Sequence, residues 1–267
     1  MSLARIKERL RVITLAFEIE LRQNLTDGFV LFGILIQPLI VAFLALWMLK
    51  DKGAEYAIFV VVGSGMTGLW TTLLFNGGNS VRHERNTGTL EVLVASPASL
   101  RLVVYGKILA NVIQSLGSMI FSYIVISLIF HYPLTIAQPL LFFISLALTV
   151  FSFVSFGLIL ASLFILIPNF QRMQNSLEFP VYILCGFLFP ITLLPGWTTP
   201  LSYLLAPYWA AQALHGAARA SLPIEQILFA WFMMLIFSAM YLLLSKRLYT
   251  VILHRARVDA SLNTMTE

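Results

Sequence analysis

Long stretches of the chain carry no charged residue, and short polar islands separate them. Gly28 to Leu49 is the first such stretch and Tyr56 to Val81 the second. A third runs from Ile108 to Gln171, too long for one crossing, and "HYPLTIAQP" (131–139) breaks it with two prolines. "PNFQR" (168–172) ends it. A fourth stretch covers Phe179 to Ala218, and a last one Gln226 to Ser245. Spanning a bilayer takes about 20 apolar residues. The pattern therefore predicts helical crossings near 28–49, 56–81, 108–130, 139–167 and 226–245, with one or two more between 179 and 218.

Charge decides between one and two. Lys and Arg cluster in residues 1–27, in 82–107, at Arg172 and from Lys246 onward, whereas the alternate loops hold only Lys50, Lys52 and Arg219. Basic loops face the cytoplasm, so both termini are expected inside the cell membrane, which requires an even number of crossings. Six spans follow, the fifth near 177–194. The remainder, 195–217, then stays on the outer side, although it is apolar and broken by Pro195, Pro200 and Pro207. Irregular backbone at membrane depth must be buried in protein or line a wet cavity, so an external re-entrant helical hairpin is expected there. Trp197, Tyr203, Tyr208 and Trp209 suit an interfacial aromatic belt.

The first 27 residues read as an amphipathic cytoplasmic helix. At about 100° per residue, Leu3, Ile6, Leu10, Ile13, Phe17 and Leu21 fall within an arc of roughly 80°. Arg5, Lys7, Arg9 and Arg11 flank it, which suits a helix on the inner leaflet. Val12, Leu15 and Ile19 form a second apolar stripe, explained by packing on another protein surface or on the chain's own spans. Glu18 and Glu20 interrupt the apolar residues, so no secretory signal core forms. The expected fold is an all-α integral membrane protein. It has a cytoplasmic helix (1–27), a six-span domain (28–247) and a cytoplasmic tail (248–267).

Composition agrees with the pattern: 59% of the 267 residues are hydrophobic and 11% charged, against about 25% charged in soluble domains. The net charge of +5 marks loop sidedness rather than nucleic-acid binding. Cys185 is the single cysteine, which rules out an internal disulfide and reads as a buried structural thiol. His83, His131, His215 and His254 are scattered, so no metal site is expected. No charge is expected centrally in any span, which argues against ion-coupled transport. The chain contains no HExxH, no TVGYG and no Walker A sequence, so any ATP it uses is bound by another chain.

Small and polar residues within the spans have two readings. Gly63, Ser64, Gly65 and Gly68 form a small-residue face that lets helices approach, expected at or near a subunit interface beside a translocation route. Asn76, Asn79, Asn111 and Gln114, with Gln37, either bond neighbouring helices or line a route for an amphipathic substrate.

One island, "RHERNTGTLEVLVASP" (82–97), has a helical logic of its own. Gly88 can occupy an N-cap, and Glu91 then stands at N3, where a carboxylate favours the exposed amides and the helix dipole. Leu90, Leu93 and Val94 recur at helical spacing. Ser96 caps again, with Pro97 at the favoured first position of a helix leading into the third span.

This stretch resembles the signature of the type-2 ABC exporter permeases, E-R-x-x-G-T-L-E-x-L-x-x-[ST]-P after the second span. Glu84, Arg85, Gly88, Thr89, Leu90, Glu91, Leu93, Ser96 and Pro97 match it. "GFLFPITLLPGWTTPLSYLLAPYWAAQALHGA" is similar to the family's fifth span and external re-entrant helices. The resemblance implies a homodimer, or paired half-transporters, bound to two ATPase subunits that carry ATP and Mg, with no cofactor on this chain. Residues 88–97 would be the coupling helix seated on the ATPase. The implied function is export of an amphipathic, drug-like or lipid-linked molecule. The rival reading is a membrane-embedded enzyme or assembly factor without an ATPase.

Overall fold

The computed structural model of the chain describes residues 3–48, 54–77, 88, 99–131, 135–166 and 170–258. The described residues are helical apart from turns and short connections. Helix α1 (Leu3–Thr26) is followed by α2 (Gly28–Leu31), a π-helical turn (Phe32–Ile36) and α3 (Gln37–Met48). Next come α4 (Ala54–Thr72) with a second π turn (Leu73–Gly77), α5 (Leu100–Phe130), α6 (Pro139–Leu166) and α7 (Phe170–Leu184). Short 3-10 turns lead to α8 (Thr199–Tyr203), α9 (Ala206–Arg219) and the long α10 (Ile224–Val258). Among the described residues, four helical stretches are long and apolar enough to cross a membrane: Tyr56–Phe75, Leu100–Phe130, Pro139–Phe164 and Ile224–Ile252, with Phe32–Trp47 a shorter apolar helix. The chain is thus a multi-pass, all-helical membrane protein.

Pro38 explains the first π turn. Proline has no N–H, and its ring crowds the carbonyl four residues back. Widening the helix at Phe32–Ile36 relieves that crowding. The Ile34 carbonyl then accepts a hydrogen bond from the Ser118 hydroxyl of α5, so a backbone group freed in the membrane still finds a partner. The second π turn is also tied down: Gln174 Nε2 donates to the Leu74 carbonyl at 2.7 Å.

Helix α4 is the centre of the bundle, with nearly all of Tyr56–Phe75 buried. Its glycines set the distances to its neighbours. A Cβ on Gly63 would meet the Phe187 carbonyl, one on Gly65 the Met119 side chain, and one on Gly68 the Pro38 ring. Gly157 of α6 likewise admits Leu73 and Ile108. Two ends of the bundle follow. Leu73, Leu74, Ile108 and Gln174 meet at one, while Phe59, Phe187, His215 and the Gln138–Ala217 backbone pair meet at the other.

Helix α7 covers the first half of the expected fifth span and stops at Leu184. A Schellman motif ends it: Gly186 is left-handed at φ 66°, its N–H bonds Ile183, and the Phe187 N–H bonds Tyr182,. Glu178, the second residue of the expected fifth span, lies mid-helix in α7 and is buried. It is tolerated because the hydroxyls of Thr71 and Tyr182 both donate to its Oε1, at 2.9 and 2.7 Å. Between 195 and 219 the chain does form two helices, and α9 packs against α4, α6 and α10 with nearly every side chain buried.

Candidate functional site

The first candidate region is the end of the bundle where α1 joins α5. Ile13, Ala16 and Phe17 pack on Gly106, which a Cβ would bring to 2.5 Å from the Ile13 carbonyl. Further along, Lys107 Nζ lies 3.2 Å from Glu20 Oε2, and both side chains are almost wholly buried. Asn24 Nδ2 donates to Asn111 Oδ1 at 2.7 Å and to Gln114 Oε1 at 3.0 Å, and Asn111 Nδ2 donates to Glu20 Oε1 at 3.2 Å. Residues four apart on α1 meet residues four apart on α5, so the two helices run alongside each other in the same direction.

The fully buried residues of α1 are Ala16, Glu20 and Asn24, beside the half-buried Ile13, Phe17 and Leu21 of the expected apolar arc. Ile6 and Leu10 of that arc are exposed, as are Leu15 and Ile19 of the second stripe. Asn111 and Gln114 thus bond α1 from α5, as interhelical partners. The signal for Glu20 and Lys107 was present in the sequence. An acid interrupts an apolar stripe, and a lysine stands one residue before a long charge-free run.

Helix α5 carries a second cation on the same first turns. Arg101 Nη2 donates to the Leu242 carbonyl of α10 at 3.2 Å. The first two turns of α5 thus hold α1 through Lys107 and α10 through Arg101. This is the helix that follows the 82–97 island directly, and α4, which precedes the island, ends at the same end of the bundle. Of the island, only Gly88 falls within the described residues. It is an exposed turn residue at φ 72°, a left-handed conformation that glycine adopts without strain, not the extended one usual at an N-cap. Glu84, Arg85, Thr89, Leu90, Glu91, Leu93, Val94, Ser96 and Pro97 lie outside the described residues, as does Asn79. Asn76 is in the second π turn.

The small residues of α4 are used within the protomer. Gly63 and Gly68 face Phe187 and Pro38, and buried Ser64 donates to the Val61 carbonyl at 2.9 Å.

The second candidate region is the opposite end. Pro195 precedes the Gly196–Thr198 turn, and Pro200 and Pro207 sit in the first turns of α8 and α9, where a missing N–H costs nothing. The aromatic group divides. Trp197 and Tyr203 are exposed, whereas Tyr208 and Trp209 are buried. Trp209 Nε1 donates to the Tyr203 carbonyl at 3.0 Å, closing the α8–α9 corner. His215 stacks on Phe59 with ring centroids 3.9 Å apart, and its Nε2 lies 3.2 Å from the Phe187 carbonyl. Since a carbonyl only accepts, Nε2 carries the proton. Burial holds this imidazole well below the usual histidine range, and the neighbouring Arg219 charge acts the same way, so His215 is neutral.

Among the described residues, no three His, Cys, Asp or Glu side chains gather as a metal ion would require. No curated protein matches the chain. Residues 12–218 match the family model described as ABC-2 type transporter. With that match covering most of the chain and an all-helical, multi-pass fold around it, the chain belongs to the ABC-2 type transporter family as its membrane permease domain, a transport subunit without an ATPase domain.

Proposed function

We propose that the chain is the membrane half of an ATP-driven exporter that moves an amphipathic, drug-like or lipid-linked molecule outward, paired with a second permease copy and two ATPase subunits. Six crossings, cytoplasmic termini and an outer re-entrant hairpin complete the reading. ABC-2 permeases associate with ABC ATPase subunits, so motion must enter this chain through a contact surface. The observation that carries the coupling assignment is the anchoring of α5. The helix entered from the 82–97 island is fixed to α1 by the buried Glu20–Lys107 pair and to α10 by Arg101. A push on the island would therefore move three helices together. Leu90, Leu93 and Val94 would bury in the ATPase, with Glu84, Arg85 and Glu91 pairing or capping around them. Thr89, Ser96 and Pro97 would shape the turn into α5.

Leu93→Asp tests this reading. A charge forced into an apolar contact costs several kcal/mol. The variant is expected to insert and fold normally while losing transport and co-purification with the ATPase. Parental export with the ATPase still bound would refute the coupling role.

A further inference from the structure

A cavity of about 190 Å³ opens between α9 and the turn that follows α7. Phe59, Thr192, Tyr208, Gln212, His215 and Arg219 give it its chemistry. It lies at the end of the bundle opposite the α1–α5 junction. Its volume is below the ~300–1,000 Å³ of pockets that enclose whole drug-sized molecules. It fits a headgroup, with any attached chain left outside. Thr192 at the rim is exposed, and the exposed Leu193 beside it continues an apolar surface on which such a chain can lie.

The charge in the cavity is positive. The Arg219 guanidinium sits 5.6 Å from the Tyr56 ring centroid and 5.7 Å from that of Phe59. Two aromatic rings lie against the guanidinium, whose N–H fork is suited to a bidentate oxyanion,. His215 is a neutral wall with its N–H already given to Phe187, so it adds no second charge. Gln212 and Thr192 supply hydrogen-bonding groups to the same cavity lining. An arginine in the last turn of a helix also favours the helix dipole, and the test must separate that role from ligand binding.

We propose that this outer cavity binds the phosphate or carboxylate headgroup of an amphipathic molecule, with Arg219 as its charge partner and Gln212 and Thr192 as hydrogen-bonding partners. The molecule is either exported cargo or a resident anionic lipid, and the first alternative alone rests on the exporter reading.

The full chain in phosphatidylcholine nanodiscs would be titrated with dodecyl phosphate, with dodecylphosphocholine as the zwitterionic control and empty nanodiscs as background. At least fivefold preference for the phosphate is expected. Arg219→Gln and Thr192→Trp should each weaken dodecyl phosphate binding about tenfold or more. The tryptophan variant fills the rim and keeps the arginine, so it carries the test alone if Arg219→Gln fails to fold. Equal affinity for the two headgroups, or unchanged binding in a folded Thr192→Trp, overturns the proposal. In proteoliposomes with the ATPase subunit, ATP-dependent movement of dodecyl phosphate identifies cargo and its retention identifies a resident lipid; both support the site. Failure to assemble with any ATPase would defeat the exporter reading and leave the binding result standing.

Discussion

A Cβ on Gly63 would fall 1.9 Å from the carbonyl oxygen of Phe187. Helix α4 and the turn that ends α7 are thus in backbone contact. Neither side can yield cheaply, because the obstacle is main chain.

Gly63→Ala is accordingly expected to destabilise the fold by at least the 1–3 kcal/mol typical of overpacking. Gly117→Ala is the control, since a Cβ there meets nothing within 4 Å. That change should be neutral or slightly stabilising. Thermal unfolding in detergent reads both. Equal stability of the two variants would show that the Gly63 contact is not made.

The Glu20–Lys107 pair gives a second prediction. Removing one member of a buried pair leaves an uncompensated charge, at about 3–5 kcal/mol. Lys107→Met should therefore loosen α1 from α5, seen as faster proteolysis within residues 3–26. Glu20→Gln in the same chain should restore most of the protection. A double variant no better than the single one would mean the two charges act independently.

Ser118 and Pro38 form a third testable unit. Ser118→Ala leaves the Ile34 carbonyl without its partner, a loss of about 1–3 kcal/mol. Pro38→Ala would restore an N–H at position 38, able to bond that same carbonyl. The cost of Ser118→Ala should fall sharply in the Pro38→Ala background. Additive effects in this cycle would separate the hydroxyl from the proline.

Much of this was readable in the sequence, and the parts that were not share a cause. Charge-free runs located the helices long and apolar enough to cross, at Tyr56–Phe75, Leu100–Phe130, Pro139–Phe164 and Ile224–Ile252, because lipid demands continuous apolarity. The family motif at Glu84–Pro97 located the island and the family. Hydropathy could not show that Glu20 and Asn24 face inward, since a buried polar residue is legible only once its partner is known. Their partners Lys107, Asn111 and Gln114 lie about 90 positions away. Tyr208 and Trp209 read as interfacial by residue type, yet the fold of α8 onto α9 buries them. Gly63 and Gly68 read as a small-residue face, and the neighbours they admit within the chain, Phe187 and Pro38, could not be named from the sequence.

Sidedness gives a fourth prediction. Gly196 has open space around its Cα, and native Cys185 is buried and cannot compete for a label. In intact cells an impermeant maleimide should label Gly196→Cys without lysis, and Thr264→Cys only after it. Labelling of Gly196→Cys only after lysis would remove the six-span topology.

The last prediction concerns pH at the end of the bundle that holds His215. His215 is neutral when folded, because burial lowers its pKa and Arg219 adds to the effect. In the unfolded chain it titrates near the usual ~6.5. Below that pH the unfolded state takes up a proton that the folded state does not. Stability is therefore full above about pH 6.5 and is lost as pH falls, by up to about 1.4 kcal/mol per unit for this group. The other titratable groups lining the same cavity are Arg219, Cys185 and Tyr208. His215→Gln removes the titration and keeps a donor toward the Phe187 carbonyl. The variant should lose less stability than the parent between pH 7 and pH 5, read as the change in melting temperature. A parallel decline in both proteins would show that His215 does not enter the folded state as a buried neutral imidazole.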